Sequence, residues 1–362
     1  MECHYFGECG SCRLYESGYE GQLAVKKRRF IELFGQEPEV FPSPPSHFRA
    51  RAEFKIFHDE SLSYAMHRVG GGYVKIEACP IVLRPIYDLM PTLLDAIKKE
   101  EILAKKLFRI DFLSGLSGEV LATLVYHRPI DETWRQKALQ LAEDFELSII
   151  GRSRGKKIVI GKEYIEEILP IRGREFTYLH YEGSFTQPNP YVNMKMIEWA
   201  LGASRGFGGD LVELYCGGGN FTLPLAQNFE HVIATEISKA SIKAAKEAAQ
   251  RNSVQNVTFL RMSSEEFGQA LRGKRQFRRL EGKDLKNYEL KTLFVDPPRC
   301  GLDGATLEVA KSFENIIYIS CNPETLHRDL GELTKHFSVE KLALFDQFPY
   351  TEHMECGVVL RR

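Results

Sequence analysis

The chain has 362 residues and a formal net charge of −1; 43% of its residues are hydrophobic and 27% are charged. Such values are typical of a globular protein of about two domains with a sizeable core, and no apolar run reaches the roughly 18 residues that a membrane span needs. The start MECHYFGECGSC lacks the basic and apolar segments of a signal peptide, so a cytoplasmic protein without membrane contact is predicted.

The near-neutral charge argues weakly against a nucleic-acid partner, but local clusters of cations matter more than the sum. Three basic clusters stand out: Lys26, Lys27, Arg28 and Arg29; Arg152, Arg154, Lys156 and Lys157; and Arg272, Lys274, Arg275, Arg278 and Arg279. A solvated surface and an RNA-facing surface are equally good interpretations of these clusters.

The first half of the chain mixes helix and strand patterns. Residues 13–40 are predicted to be helical, and the proline-rich stretch FPSPPSHFR at 41–49 is predicted to be a connector. Beyond it, RAEFKIFHD alternates apolar and polar residues as a half-buried strand does, and residues 120–128 form a second strand pattern.

The pattern changes after about residue 184. Asn189 and Pro190 are a typical helix start, with an N-cap followed by proline at the first helical position. Strands are then predicted at 211–215, 231–236, 257–262, 292–296, 316–320 and 341–345, alternating with helices from about 221 and at 238–251. This alternation indicates an α/β fold with a parallel, doubly wound sheet, whose substrates bind beyond the carboxyl ends of the strands.

Two motifs at predicted strand ends indicate a nucleotide site. A glycine loop, Cys216 to Asn220, lies between a strand and a helix, where glycines let a ligand approach the backbone closely; a plain tight turn is the alternative. Glu236, about 20 residues on, can accept hydrogen bonds from both hydroxyls of a ribose. Because the loop is not GxGxxG, S-adenosylmethionine is favoured over a dinucleotide, and the pair resembles the class I methyltransferase fold.

A second pair of motifs indicates the chemistry. FVDPPR ends a strand at Asp296, and this triplet resembles the substrate loop of nucleic-acid methyltransferases, with Arg299 where amino-group methyltransferases carry an aromatic residue. Cys321 ends the next strand. A thiolate added to carbon 6 of uracil would make carbon 5 nucleophilic enough to attack a methyl sulfonium. An inert core cysteine is the alternative for Cys321, and a strand-ending turn is the alternative for Asp296.

A base must later remove the proton at carbon 5. The segment FPYTEHMECGVVL offers His353 and Glu355, and either residue could serve on chemical grounds. A surface carboxylate at the start of a strand is the ordinary alternative for Glu355.

Six segments together resemble the tRNA (uracil-5-)-methyltransferases of the TrmA family: SFTQPN, LYCGGGNFT, ATEI, FVDPPR, SCNPETL and LFDQFPYTEHMECGV. The resemblance covers the chain beyond about residue 20. It implies a helical N-terminal segment with cysteines at 1–40, an α+β RNA-binding domain at 41–180 and a Rossmann-like methyltransferase domain at 181–362.

The resemblance also implies roles for individual residues. Cys321 is the expected nucleophile and Glu355 the expected proton acceptor. S-adenosylmethionine contacts are expected from Gln187, Tyr215, Asn220, Glu236 and Asp296. The implied substrate is the uridine at position 54 in the T-arm of tRNA, with other T-loop-like RNAs as further targets, and a monomer is expected. Arg51 is expected to contact a phosphate or base, and Phe108 and His127 to hold a flipped base.

Cys3, Cys9, Cys12 and Cys79 resemble the [4Fe-4S] ligand set of the related ribosomal RNA enzymes. The alternatives are a zinc site or unrelated cysteines. The set favours a ribosomal RNA uracil-5-methyltransferase as the rival function. With two residues before Cys3, the N-terminal barrel that often accompanies those enzymes is expected to be absent, which favours tRNA. A non-catalytic RNA-folding factor is a further rival, which intact Cys321, Glu355 and Glu236 argue against.

Overall fold

A computed structural model describes residues 1–281 and 284–362. The first half contains α1 (Gly18–Phe34), β1 (Glu39–Phe41), β2 (Arg51–His58), β3 (Leu62–His67), β4 (Tyr73–Ile76), α2 (Arg84–Lys99), α3 (Glu101–Ala104), β5 (Leu107–Ser114), β6 (Val120–Tyr126), α4 (Glu132–Asp144), β7 (Ser148–Ser153), β8 (Lys156–Ile160), β9 (Tyr164–Ile171) and β10 (Arg174–Tyr181). The second half contains α5 (Pro190–Ser204), β11 (Asp210–Leu214), α6 (Thr222–Leu225), β12 (Val232–Thr235), α7 (Lys239–Arg251), β13 (Val257–Leu260), α8 (Ser264–Leu271), β14 (Leu290–Val295), α9 (Gly304–Ala310), β15 (Asn315–Ser320), α10 (Pro323–Leu333), β16 (Ser338–Phe345) and β17 (Glu355–Arg361).

The first sheet has the strand order β4-β3-β2-β5-β6-β7-β8 and is antiparallel except where β6 pairs with β7. The alternation read from RAEFKIFHD is confirmed, because Ala52, Phe54 and Ile56 point into a core shared with α2 and α4. The residues between them in β2, such as Arg51 and Lys55, lie on the opposite face. That face is covered only in part, through contacts of β5 and β6 with β9.

The second sheet has the order β1-β16-β17-β15-β14-β11-β12-β13. All its pairings are parallel except those of β17, which runs antiparallel to both β15 and β16. The expectation of a wholly parallel sheet is therefore wrong in this one strand, because the connection from β16 to β17 is too short for a crossover. The consequence is that β17 begins at the edge where the parallel strands end.

Polar capping residues mark the starts of several helices around this sheet. The predicted start of α5 is confirmed: the Asn189 side chain accepts from the backbone N–H of Val192, and Pro190 is the first helical residue. Ser238 caps α7 in the same way, and Ser263 forms a capping box with Glu266 at α8. Across the residues that the structure describes, no helix is both long and apolar enough to cross a bilayer.

The N-terminal segment packs against the C-terminal sheet. α1 is shorter than predicted, and β1, at the end of the predicted helical stretch, pairs with β16. Lys26 is 1% exposed, with its Nζ 2.6 Å from Oδ1 of Asp346. The basic cluster on α1 is therefore not wholly available to RNA. In the second cluster, Arg152 and Lys157 both form ion pairs with Glu182. The domain ranges 1–40, 41–180 and 181–362 remain predictions.

Candidate active site

The carboxyl edge of the second sheet collects the predicted functional residues. Tyr215 and the glycine loop follow β11, Glu236 follows β12, Asp296 follows β14 and Cys321 follows β15. Glu355 begins β17, and because this strand is antiparallel its first residue lies at the same edge. The fold thus brings together residues that are up to 140 positions apart, as expected for parallel strands with crossover helices.

Cys321 and Glu355 lie at the ends of neighbouring strands. Ser320, the last residue of β15, pairs with Cys356 of β17. Cys321 follows this pair on one chain segment and Glu355 precedes it on the other, so both lie at the same edge of the sheet. Glu355 is 3% exposed. His353, the other base considered from the sequence, is exposed and makes a different contact, with its Nδ1 3.1 Å from Nη2 of Arg299.

Three acidic groups disfavour one another's ionisation at this edge. Loss of solvation raises the pKa of Asp296 to about 7. Burial, and after it the charge of Asp296, raises the pKa of Glu355 well above its ordinary value. Burial, Glu355 and Asp296 together raise the pKa of the Cys321 thiol to about 12, while Arg299 opposes that shift. The carboxyl group of Asp296 is therefore suited to hold and release a proton near neutral pH.

A chain of amides ends on Asp296. Nε2 of Gln347 donates to Oε1 of Gln187 at 2.7 Å, and Nε2 of Gln187 donates to Oδ2 of Asp296 at 3.3 Å. Gln347 is 1% exposed, and among the described residues its own Oε1 has no hydrogen-bond partner. Gln347 therefore orients the side chain of Gln187, which in turn contacts Asp296 at the end of β14.

The carboxylate of Glu236 is fixed by backbone donors. Its Oε2 accepts from the N–H of Gly217 at 3.2 Å, and its Oε1 accepts from the N–H of Ser238 at 2.8 Å. Gly217 has φ +53°, a left-handed conformation that favours glycine. The glycine loop thus bends back onto the acidic residue of the next strand, and the two are in direct hydrogen-bond contact.

Tyr215 and Asn220 flank this loop. Tyr215 has φ +62°, and its hydroxyl donates to Oγ of Ser264 at 2.9 Å. The side-chain amide of Asn220 exchanges two 2.8 Å hydrogen bonds with that of Asn193 on α5. Both predicted cofactor residues therefore lie at the same edge as Glu236, and each is held by a neighbour on another helix.

Arg51 lies close to the segment that carries Gln187. The N–H of Ala50 donates to the carbonyl of Pro188 at 2.8 Å, which joins the start of β2 to the loop before α5. Arg51 is half-buried and lies near the carboxyl groups of Glu53, Glu182 and Asp111. Burial lowers the pKa of His180, and the positive charge of Arg51 lowers it further. The first sheet is thus attached to the second beside the candidate site.

Phe108 and His127 are brought together, at the other end of β5 from Arg51. Their rings are stacked, with centroids 4.1 Å apart and an angle of 20°. Phe108 lies near the start of β5, whereas Leu113 near its end pairs with Arg51. At about 3.4 Å per residue, the stacked pair is roughly 17 Å along the strand from Arg51.

The four N-terminal cysteines line one cavity of about 20 Å³, which is close to the volume of one water-sized sphere. Burial raises the pKa of Cys12 and of Cys79 to about 12 each. In residues 1–281 and 284–362, no group of three or more His, Cys, Asp or Glu side chains is arranged to hold a metal ion. The assignment of these four cysteines to a [4Fe-4S] cluster stays a prediction.

Four residues of this region were missed by the sequence analysis. Gln347 and Asn193 support Gln187 and Asn220, and Ile237 and Phe185 are apolar yet 67% and 78% exposed at the two ends of the site. The spacing of Asn193 four residues after Asn189, on one helix face, was an available signal.

The strand order, the antiparallel last strand, and the glycine loop and acidic residue after consecutive strands define a Rossmann-like methyltransferase fold. A crystal structure of this class covers most of the chain. The Pyrococcus abyssi tRNA (uracil-54, C5)-methyltransferase in complex with S-adenosyl-L-homocysteine superposes with a TM-score of 0.77 and 25% sequence identity, over 97% of this chain and 86% of that one.

A family model described as tRNA (uracil-5-)-methyltransferase matches residues 15–362. Relatives named tRNA/tmRNA (uracil-C(5))-methyltransferase occur in Nitratiruptor sp. (61% identical, 100% of both chains), Sulfurovum sp. (50%, 100% of both chains) and Yersinia pestis (49%, 95% of this chain and 97% of the relative). The chain therefore belongs to the tRNA (uracil-5-)-methyltransferase family. The predicted enzyme class, an S-adenosylmethionine-dependent tRNA methyltransferase acting on carbon 5 of uracil, is thereby confirmed.

Proposed function

We propose that this enzyme methylates the T-loop uridine at position 54 of tRNA, through a covalent bond between Cys321 and carbon 6 of the uracil. The observation that carries this proposal is that Cys321, directly after β15, lies close to Glu355, the first residue of the adjacent β17, and to Asp296. A thiol and a buried carboxyl group in this arrangement can serve the first and last steps of one reaction on the same ring.

The electron and proton balance is as follows. The Cys321 thiolate adds to carbon 6, and the electron pair of the C5=C6 bond moves through carbon 4 to the oxygen there, which gives an enolate. Carbon 5 then uses that pair to bond to the methyl group, while the bond from the methyl group to the sulfonium breaks and leaves its electrons on sulfur. Glu355 takes the proton from carbon 5, the C5=C6 bond forms again, and the C6–S bond breaks to return the thiolate.

S-adenosylmethionine, when bound, supplies the electrophilic methyl group. Glu236 would accept hydrogen bonds from the ribose hydroxyls, because backbone donors already fix its carboxylate. Tyr215 and Asn220 would hold the cofactor from the glycine-loop side, and Gln187 and Asp296 from the side of the substrate.

The T-loop target is supported by the name of the Pyrococcus abyssi enzyme, which specifies uracil-54. The names of the curated relatives include tmRNA, which supports T-loop-like RNAs as further substrates. On this chain, Arg51 beside the Gln187 segment would contact a phosphate or base. The stacked Phe108 and His127 would hold a second base of the loop.

The test uses tRNA in which 5-fluorouracil replaces uracil, because fluorine at carbon 5 cannot be removed as a proton. We expect a protein–RNA adduct that survives denaturing electrophoresis with the unsubstituted enzyme. Cys321→Ala should form no adduct while still binding S-adenosyl-L-homocysteine. Cys300→Ala is the matched control, since Cys300 is an exposed cysteine of the neighbouring loop, and it should form the adduct normally. An adduct with Cys321→Ala would contradict the proposal.

Glu355→Gln tests the base separately. With ordinary tRNA, this variant should transfer the methyl group but release the product slowly, so that a methylated adduct accumulates. Mass spectrometry of the trapped nucleotide would identify it. Normal turnover by this variant would exclude Glu355 as the proton acceptor.

The rival function, a ribosomal RNA uracil-5-methyltransferase with a [4Fe-4S] cluster, rests on the four N-terminal cysteines at one cavity. The curated relatives named for tRNA and tmRNA favour tRNA. Methyl transfer to a T-arm stem-loop compared with a ribosomal hairpin separates the two functions. Iron and sulfide analysis of protein purified without oxygen decides the cluster.

A further inference from the structure

The proposed nucleophile lies in surroundings that disfavour its reactive form. Asp296, after β14, and Glu355, at the start of β17, both face Cys321, and each negative charge raises the pKa of the thiol further than burial already does. Only the thiolate adds to an electrophilic carbon. The site therefore needs a positive charge near the sulfur.

Hydrogen bonds to its backbone carbonyl hold Arg299 next to the loop that follows Cys321. Its carbonyl accepts from Nδ2 of Asn322 at 3.0 Å and from Oγ1 of Thr325 at 3.3 Å, and Asn322 directly follows Cys321. The loop after β14 is thereby joined to the loop after β15. Of the groups that act on the Cys321 thiol, Arg299 is the one whose charge lowers its pKa.

His353 holds the guanidinium of Arg299. Nη2 of Arg299 lies 3.1 Å from Nδ1 of His353, and because a guanidinium only donates, Nδ1 must accept. His353 is therefore neutral in this contact. Loss of solvation lowers the pKa of His353, and so do the positive charges of Arg299, Lys26 and Arg29, whereas Glu352 raises it. The net lowering keeps the imidazole neutral.

We propose that Arg299 sets the ionisation of the Cys321 thiol, and that His353 is the acceptor that keeps the guanidinium in place. Arg299 acts through Cys321 and is a positioning residue, as is His353. The role rests on the proposed function in one respect, namely that Cys321 is the nucleophile. It explains why arginine stands in this loop where an aromatic side chain would suit an exocyclic amine.

The experiment measures alkylation of Cys321 by iodoacetamide, an uncharged probe, in the free enzyme between pH 7.5 and 9.5. Peptide mass spectrometry follows this cysteine alone. Because the thiol is mostly protonated over this range, the rate follows the thiolate fraction. Arg299→Gln should raise the pKa of Cys321 by about one unit, which slows alkylation about threefold to fourfold after the higher nucleophilicity of the more basic thiolate is included. Arg299→Lys, which keeps the charge, should lose less.

The control is Arg28→Gln, which removes an equal charge from an exposed arginine of α1. Its alkylation rate should match that of the unsubstituted enzyme. His353→Ala should slow alkylation as Arg299→Gln does, and His353→Asn, whose amide oxygen can accept from Arg299, should restore the rate. Thermal melting checks that each variant is folded.

Two results would overturn the inference. One is an unchanged alkylation profile in both Arg299→Gln and His353→Ala. The other is a weaker affinity for tRNA in Arg299→Gln with the thiol unaffected, which would make Arg299 a phosphate contact. Neither depends on RNA methylation, so a failure of this inference is distinct from a failure of the proposed function, which the Cys321→Ala adduct test reports.

Discussion

Asp296, Glu355 and Cys321 show how a site is defined by neighbours rather than by single residues. Their positions were predictable from the sequence, because each follows or begins a strand and the carboxyl ends of parallel strands meet. Their partners were not. The contact of Arg299 with His353 spans 54 positions, and that of Gln347 with Gln187 spans 160, so neither is encoded in a local pattern.

Asp296→Asn should act on the thiol in the opposite direction to loss of Arg299. Removing the negative charge lowers the pKa of Cys321, so alkylation by iodoacetamide at pH 8 should become faster, by about threefold or more. Methyl transfer should nevertheless fall, because the amide no longer accepts from Gln187 as a carboxylate does. Slower alkylation in this variant would mean that Asp296 does not disfavour the thiolate.

Glu236→Gln should weaken binding of S-adenosyl-L-homocysteine by about tenfold to a hundredfold, the equivalent of losing charged hydrogen bonds worth roughly 1.5–3 kcal/mol. Isothermal titration calorimetry measures the dissociation constant directly. Glu230→Gln, at an exposed position before the same strand, is the matched control and should bind normally. Equal affinities for the two variants would remove Glu236 from the cofactor site.

At the scale of secondary-structure elements, short sequence motifs predicted more of the structure than the amino-acid composition did. The cap at Asn189 and the helix after Ser238 were recognisable because a polar side chain satisfies a free backbone N–H at each start. The antiparallel direction of β17 was not recognisable, since an apolar run has the same pattern in either direction. Nor was the burial of Lys26, whose partner Asp346 lies 320 positions away.

Lys26→Met should destabilise the fold by about 3–5 kcal/mol, because it leaves the buried carboxylate of Asp346 without its cation. Urea unfolding followed by circular dichroism measures the change. Lys27→Met is the control at the next position: Lys27 forms an exposed pair with Glu37, and its loss should cost less than about 1 kcal/mol. Similar midpoints for both variants would show that the buried pair adds no stability.

At the scale of the whole molecule, the candidate catalytic residues and the candidate RNA contacts lie on different sheets. The second sheet holds the candidate active site at one edge, and the first presents the face bearing Arg51 and Phe108, joined to the segment before α5 by the contact of Ala50 with Pro188. The sequence predicted the fold around each of the two sheets, because the spacing of hydrophobic residues differs between the two halves of the chain. It could not predict that Phe108 and His127 lie roughly 17 Å along β5 from Arg51, because that distance depends on strand register.

Phe108→Ala should therefore affect RNA binding and spare the chemistry. We expect the dissociation constant for tRNA to rise by about fivefold to a hundredfold, as for loss of one stacked base, with unchanged affinity for S-adenosyl-L-homocysteine. Filter binding measures the first quantity and calorimetry the second. Leu139→Ala, at a 41% exposed position on the helical side, should bind tRNA normally; a loss equal to that of Phe108→Ala would point to a general defect.

The buried pair of Lys26 with Asp346 has a consequence for biosynthesis. Gln22 also donates to Asp346, and Tyr350 donates from its backbone to Gln22, so early residues brace the segment that leads to Glu355. These contacts join residues 324 and 320 positions apart, so they can form only after Asp346 has been synthesised. During translation α1 therefore waits for a partner that is made more than 300 residues later, and the candidate proton acceptor Glu355 follows that partner in the chain.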